Sequence, residues 1–215
     1  MSYWYGPCER VPWRSQRDNP VDAAKQCNVT ALIMAIAGSA LCLPDTQGEQ
    51  PEAVLARFAE TDPRVMQYMQ KFQGWAVNLG WPPYTEQHTL AVAANLWLGP
   101  DDKPGPVCYE TDRPLEAVVV DLVRGHCSVV TGRFTPGGHL VAVVGVHTAQ
   151  WFANGPKPAD VSLSSVQQFM VHDPWGNWHS GYRDHDGARC LFTPDELMRL
   201  VLTEGKNAKW VHWIA

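Results

Sequence analysis

Residues 27–37 read Cys27-Asn28-Val29-Thr30-Ala31-Leu32-Ile33-Met34-Ala35-Ile36-Ala37, an apolar run that opens with a cysteine. Apolar side chains recur at helical spacing through residue 40, which predicts a helix from Cys27 to Leu41. A helix with so many apolar residues is expected to be buried at the centre of the fold. A thiol at its N-terminus faces the positive end of the helix macrodipole, which stabilises the thiolate over the neutral thiol.

Two later segments carry the other parts of an activated thiol. A histidine opens an apolar strand in Gly138-His139-Leu140-Val141-Ala142-Val143-Val144, and an aspartate closes another in Met170-Val171-His172-Asp173-Pro174. A strand start would hold His139 rigidly as a general base, and Asp173 would accept the proton of its other ring nitrogen. Thiol, imidazole and carboxylate together predict acyl-transfer chemistry, with hydrolysis of a peptide or amide bond as the expected reaction.

The other thiols and imidazoles have less reactive settings in the sequence. Cys42 lies at the C-terminal end of the same predicted helix, where the macrodipole disfavours a thiolate. We therefore assign four cysteines to packing: Cys42, Cys108, Cys127 and Cys190. His126 and His172 lie beside predicted strands and are interpreted as structural residues.

Attack on a carbonyl group also needs donors for the developing oxyanion. The backbone N–H of Cys27 is one expected donor. A side-chain amide upstream is the other, and three residues are candidates: Gln16, Asn19 and Gln26. Gln16 is favoured because it lies in an extended segment that can run beside the helix start. The side chain of Gln26, the residue before Cys27, is expected to point away from the site.

Length and charge narrow the classes of function. The 215 residues fit one domain, 1–215, with a helical insertion at about 51–124. A net charge of -5 without a basic run argues against nucleic-acid binding. No apolar run approaches the roughly 18 residues of a membrane span, and residues 1–7 lack the pattern of a secretory signal. Synthesis in the cytoplasm is expected, with any release or virion association by another route.

The six cysteines contain no Cys-x-x-Cys pair, so we expect free thiols and no disulfide framework. No His or Cys spacing typical of zinc appears either, and neither a metal nor a cofactor is expected. The ten tryptophans are many for this length, and some of them are expected to line a groove for a peptide or sugar ligand.

The wider pattern predicts an α+β fold, with helices in the first half and antiparallel strands in the second. Further helices are predicted at Pro51–Glu60, Pro63–Phe72, Glu86–Leu98 and Pro114–Arg124, and one starts at the capping box of Thr193. Strands are predicted at Val11–Gln16, Cys127–Phe134, Leu140–Thr148, Gln168–Asp173 and Lys209–Ile214, with a hairpin turn at Thr135–Gly138 and a loop at Asn154–Ser165.

The segments around the three reactive residues resemble C39-like cysteine peptidases of the papain-like superfamily. The similarity lies in Ser15–Asn19, Cys27–Met34, Gly138–Val146 and Val171–Asn177. It implies a papain-like fold in which a helical lobe, with the nucleophile helix, packs on an antiparallel sheet. It also implies Cys27 as nucleophile, His139 as base, Asp173 as its orienting partner and Gln16 as oxyanion donor. The family more often has Cys-Gly-Pro where this chain has Cys27-Asn28-Val29, and the helical middle segment matches nothing in it.

Free-standing relatives of this type resemble phage or bacterial enzymes, which implies a monomeric peptidase or amidase acting on the peptide stems of peptidoglycan. Asn28, beside the nucleophile, and Trp175, after the aspartate, are then candidate substrate-binding residues. Three other functions stay open: a protein-processing protease, a papain-like acyltransferase that passes the acyl group to an amine, and a binding module without catalysis.

Overall fold

The main sheet is built around the apolar strand His139–Thr148. The computed structural model describes residues 1–99, 105–153, 155–201, 203–204, 207–208 and 211–215. Its helices are α1 (Cys27–Gly38), α2 (Pro51–Thr61), α3 (Pro63–Phe72), α4 (Gly74–Asn78), α5 (Gln87–Leu98), α6 (Leu115–Val123) and α7 (Pro194–Leu200). Its strands are β1 (Tyr3–Tyr5), β2 (Val107–Glu110), β3 (Arg113–Pro114), β4 (Ser128–Gly132), β5 (His139–Thr148), β6 (Val166–His172), β7 (Cys190–Phe192), β8 (Thr203–Glu204), β9 (Asn207–Ala208) and β10 (Val211–Ile214).

All strand pairs of the main sheet are antiparallel. The strand order is β2-β10-β4-β5-β6-β7, and β1 pairs with the C-terminal part of β5. A small second sheet has the order β3-β9-β8. The predicted α+β class with an antiparallel sheet is thus confirmed.

Helices cover both faces of this sheet. Side chains alternate along β5, so that Leu140, Ala142 and Val144 join one apolar cluster while Val141 and Val143 join another. Helix α1 lies on β4, β5 and β10 within the first cluster, and α2 packs against its other side. Helix α6 packs against β4, β5 and β10, and α7 packs against β6, within the second cluster. The prediction of a buried central helix is therefore confirmed.

Helix α1 ends at Gly38 and not at the predicted Leu41. Ala40 has a φ of 60°, a left-handed conformation that a helix cannot continue through. A Cβ atom on Gly38 would collide with the side chains of Val11 and Cys127. The helix therefore ends where the chain passes close to its neighbours, a tertiary constraint that periodicity does not contain.

Most predicted elements are confirmed with ends shifted by a few residues: helices α2, α3, α5, α6 and α7, and strands β4, β5, β6 and β10. Lys209, the predicted start of the last strand, lies outside the described residues, as does Asn154 of the predicted loop. The rest of that loop contains two short 3-10 turns, Pro158–Asp160 and Leu163–Ser165.

The predicted edge strand at Val11–Gln16 is wrong. This segment forms no strand; the indole of Trp13 donates to the carbonyl of Asp173 (2.9 Å), and the N–H of Gln16 donates to the carbonyl of Pro174 (2.9 Å). Its hydrogen bonds go to a loop instead of a ladder. The strands β1, β2 and β7, of three or four residues each, were not predicted because so short a segment has no visible period.

Among the described residues, no helix combines the length and the apolar character needed to cross a membrane.

Candidate active site

Cys27 is the first residue of α1 and is half-buried. The preceding turn, Ala23–Lys25, leads the chain into the helix, whose buried side chains fix its position against β5. The N–H groups of the first helical turn have no acceptor within the helix, and their positive ends face outwards. The backbone N–H groups of Asn28 and Leu140 both lie where they stabilise the Cys27 sulfur as a thiolate.

His139 is the first residue of β5 and is 4% exposed. A tight hairpin precedes it: Gly138 has a φ of 83°, its N–H donates to the carbonyl of Thr135 (3.1 Å), and the Thr135 hydroxyl donates to the carbonyl of Gly138 (2.7 Å). The pair Gly132 and His139 closes the β4–β5 ladder beside this turn. The imidazole is therefore held by a short, well-bonded turn and not by a loose loop.

Asp173 follows the last residue of β6 and is fully buried. Its N–H donates to the carbonyl of Gly187 (2.9 Å), and its Oδ1 accepts from the N–H of Trp175 (2.9 Å). Any side chain at residue 187 would collide with the carbonyl of Asp173, so this approach requires glycine. The loop after β6 folds back on itself and fixes both the backbone and the carboxylate of Asp173.

The three side chains meet at one point of the structure. Nε2 of His139 lies 2.7 Å from Oδ1 of Asp173, and the Cys27 sulfur interacts with the same imidazole, so that each of the two groups shifts the pKa of the other. Since Nε2 is held by the carboxylate, Nδ1 is the ring nitrogen left for the sulfur. The sequence-predicted thiol, imidazole and carboxylate thus form a continuous chain.

The pKa values of Cys27 and His139 are displaced in opposite directions. Burial alone would raise the pKa of Cys27, but the hydrogen bond and charge of His139 outweigh it, so the pKa lies below its ordinary value. Burial would lower the pKa of His139, but its bonds to Asp173 and Cys27 raise it to about 9. This pattern favours a thiolate–imidazolium pair at neutral pH.

Aromatic side chains that sequence reasoning missed enclose the pair of His139 and Asp173. The rings of Phe134 and Tyr182 each meet the imidazole edge-to-face, with 6.4 Å between ring centres. The Tyr182 hydroxyl donates to Oδ2 of Asp173 (3.1 Å). Tyr182 stands in a polar loop with a φ of 63°, so neither periodicity nor a motif could have indicated it.

A cavity of about 560 Å³ opens at the nucleophile. Cys27 and His139 both line it, together with Thr85 and Gln87 from the helical side. Arg133, from the end of β4, is exposed at its edge. A substrate carbonyl can therefore reach the sulfur from solvent, although the base behind it is buried.

Among the three candidate oxyanion donors, two are engaged with each other. Asn19 donates to Oε1 of Gln26 (2.9 Å) and to the hydroxyl of Thr30 (3.1 Å), while Gln26 donates to the carbonyl of Val21 (2.7 Å). Both carboxamides thereby build the loop before α1.

Gln16 differs from the other two. Its Nε2 donates to the carbonyl of Ala23 (2.7 Å), and a primary amide has a second N–H, so this bond does not exhaust its donors. Gln16 is 1% exposed and does not line the cavity, although Ala24, beside its acceptor, does. Its role as oxyanion donor stays a prediction.

The two predicted substrate-binding residues have structural partners. Asn28 lines the cavity but donates to the carbonyl of Tyr84 (2.6 Å), which ties the start of α1 to the helical side. Trp175 does not line the cavity; the guanidinium of Arg17 lies over its ring at 4.0 Å and donates to its carbonyl (2.6 Å). Substrate contact by either residue stays a prediction.

Three of the other thiols have environments opposite to that of Cys27. Burial raises the pKa of Cys108, and it raises the pKa of Cys127 and of Cys190 to about 12. Within the described ranges, no three His, Cys, Asp or Glu side chains are grouped so as to hold a metal ion. The thiol–imidazole–carboxylate chain is therefore the feature that calls for a chemical explanation.

Comparison of the chain with protein-family models, with curated proteins and with solved structures finds no match. A polarised thiol with an imidazole on one side and open space on the other can attack a carbonyl carbon and can return a proton to the group that leaves.

Proposed function

We propose that this protein is a cysteine-dependent peptidase or amidase. The Cys27 thiolate attacks the carbonyl carbon and forms a C–S bond, and the oxygen takes up the displaced electron pair. The His139 imidazolium then donates its proton to the leaving nitrogen as the C–N bond breaks, which leaves a thioester. His139 next takes a proton from water, whose oxygen attacks the thioester, and the thiolate departs as the carboxylic acid forms.

One observation carries this proposal. Asp173 Oδ1 lies 2.7 Å from one nitrogen of His139, and Cys27, at the wall of an open cavity, interacts with the same ring, which lowers the pKa of its thiol. A buried structural thiol would need neither a charged partner nor an opening. The pKa of Cys27 is lowered, whereas burial alone would raise it. Burial does raise the pKa of three other thiols in the chain, those of Cys108, Cys127 and Cys190.

A papain-like fold and kinship with C39-like peptidases are part of the proposal. Their support is the order of the residues along the chain and the elements that carry them. The thiol is at a helix N-terminus, the histidine is at a strand start, and the carboxylate follows the next strand. Gln16, upstream of the thiol, lies against the residue that follows this carboxylate.

Two substrate classes follow from this proposal. The resemblance of the sequence favours the peptide stems of peptidoglycan. Polypeptide segments are the second candidate, favoured by an apolar pocket between Trp75 and Trp81 that adjoins the cavity of Cys27. An acyltransferase would use the same thioester and differ only in whether water or an amine accepts the acyl group.

The test is digestion of purified peptidoglycan and of a peptide library, side by side, with mass spectrometry of the products. We expect cleavage by the wild-type protein and by Cys42→Ala, a control at an exposed thiol, and no cleavage by Cys27→Ala. Equal turnover by wild-type protein and Cys27→Ala would refute the proposal. Products joined to an added amine would assign the transferase reaction instead.

A further inference from the structure

An aromatic pocket lies beside the catalytic cavity, in the helical part of the chain. Its walls are Trp75 and Trp81, whose rings meet edge-to-face with 5.1 Å between centres. Both indoles are about half exposed, at 50% and 44%. Tyr109 and Leu140 also line the pocket, which has a volume of about 360 Å³.

The pocket and the catalytic cavity adjoin each other. Thr85, Gln87 and Leu140 line both, and Leu140 directly follows His139 in β5. A second cavity of about 430 Å³, on the other side of Trp81, shares Lys25 and Thr85 with the catalytic cavity. A chain that binds with its carbonyl at Cys27 and extends towards the helical side therefore comes close to Trp81, which lines both neighbouring cavities.

Several polar atoms around the pocket are already occupied within the protein. Gln73 accepts from the indole N–H of Trp75 (2.9 Å), and Glu86 accepts from the N–H and hydroxyl of Thr89 (2.8 and 2.7 Å). Nδ1 of His88 lies 3.3 Å from Glu86. A sugar ring needs several hydrogen-bonding partners for its hydroxyls, whereas an apolar ring needs none. The occupied polar groups favour the apolar ring.

One polar atom at the junction is unoccupied. Oε1 of Gln87 is buried and has no hydrogen-bond partner among the described residues, while its Nε2 donates to the carbonyl of Thr85 (3.1 Å). A buried acceptor without a donor is costly, and the backbone N–H of a bound peptide would supply one. The junction thus has the chemistry of a backbone contact, with the apolar pocket beside it.

We infer that this pocket is a specificity site for a bulky apolar or aromatic side chain of a polypeptide substrate. The inference rests on the proposed function for the meaning of the adjoining cavity. A cavity of about 150 Å³ is sufficient for benzene, and the volume of about 360 Å³ here accommodates one aromatic side chain. Trp75 and Trp81 then determine which peptides bind, and polypeptide segments become the favoured substrate class.

The test uses the Cys27→Ala variant, which removes the nucleophile, and capped peptides of Ala and Ser in which a single Phe is moved through the positions. Dissociation constants are measured by calorimetry. Burial of a ring predicts that one Phe position binds on the order of tenfold to a hundredfold tighter than the peptide without Phe. Trp81→Ala and Trp75→Ala, each added to Cys27→Ala, should remove most of this preference. Trp151→Ala, a 66% exposed tryptophan outside the cavities at Cys27, is the matched control and should retain it.

The results distinguish the assignment of the pocket from the proposed peptidase function. A Phe preference that survives both tryptophan variants, no preference at any position, or tighter binding of N-acetylglucosamine oligomers overturns the pocket assignment. Trp75 is half exposed, so its replacement remains informative if Trp81→Ala fails to fold. Peptide binding that depends on both tryptophans, without cleavage by the wild-type protein, supports the pocket and refutes the peptidase. Cleavage without any Phe preference does the reverse.

Discussion

His139 and Asp173 are 34 positions apart in the chain, yet Nε2 of the first lies 2.7 Å from Oδ1 of the second. Antiparallel pairing of β5 with β6 explains this, because the start of β5 and the end of β6 lie at the same edge of the sheet. Helix α1, packed on β5, begins at that edge as well, so that its first residue reaches the imidazole. The proposed chemistry depends on this shared edge.

Cys27 should be alkylated at a pH below that needed by an ordinary thiol. Its pKa is lowered, so thiolate persists as the pH falls, whereas burial raises the pKa of Cys108, Cys127 and Cys190. Iodoacetamide at pH 6.5, followed by peptide mapping, should label Cys27 ahead of these three. Faster labelling of any of these three thiols would show that Cys27 is not the most reactive thiol and would contradict its assignment as the nucleophile.

Turnover should also decline above about pH 9, since His139 then loses the proton that the leaving nitrogen needs.

Asp173→Asn should shift the alkylation profile of Cys27 to higher pH. The carboxylate raises the pKa of His139, and His139 in turn lowers that of Cys27, so loss of this charge reduces the thiolate at a given pH. A shift of one pKa unit corresponds to about tenfold less thiolate on the acid side of the profile. Asp186→Asn, an exposed aspartate in the same loop, is the control. An unchanged alkylation profile in Asp173→Asn would show that the carboxylate does not influence the pKa of Cys27.

Tyr182→Phe should lower the free energy of unfolding. The Tyr182 hydroxyl donates to Oδ2 of the fully buried Asp173, and an unpaired buried polar atom costs about 1–3 kcal/mol. Urea denaturation measures the change, with Tyr3→Phe, near the opposite end of β5, as the control. Equal midpoints for wild-type protein and Tyr182→Phe would mean that this hydrogen bond contributes no net stability.

The positions of the three reactive residues follow from strong local patterns. Cys27 and His139 each mark the start of an apolar element, and apolar runs are the most readable feature of a sequence. The glycines before His139 likewise indicate the hairpin that the structure contains. That these residues share one edge of the sheet depends on the pairing of β5 with β6 and on the packing of α1, which local patterns do not contain.

The parts that could not be predicted depend on contacts between distant segments. Trp13 and Gln16 bond to the loop after β6, so a segment that reads as an edge strand is irregular. Tyr182 approaches Asp173 because its loop folds back around Gly187, a close approach with no period or motif. The pocket at Trp75 and Trp81 likewise comes from a segment that resembles nothing in the proposed family.

Acidification should destabilise the protein through two buried histidines. Burial lowers the pKa of His172 and of His212 to about 4, whereas in the unfolded chain each titrates near pH 6.5. Between these values the unfolded state binds more protons, so stability falls as the pH decreases from 6.5 towards 4. At pH 5 each histidine should cost about 2 kcal/mol relative to pH 7. Urea midpoints across this range test the slope, which His172→Gln should reduce and His185→Gln, in an exposed loop, should not. A slope equal in all three proteins would assign the acid sensitivity to other groups.

Gln16→Ala should separate the two halves of the proposed mechanism. Gln16 bonds to Ala23 and Pro174, on either side of the site, but has no part in the bonds that set the pKa of Cys27 or His139. Removal of an oxyanion donor lowers kcat by about 10²–10³-fold, because the negative oxygen exists only after attack has begun. Alkylation of Cys27, which forms no oxyanion, should keep its rate and its pH profile. Asn19→Ala is the matched control, since the amide nitrogen of Asn19 already donates to Gln26 and Thr30. Parallel loss of turnover and alkylation in Gln16→Ala would show that this residue supports the loop and not the reaction.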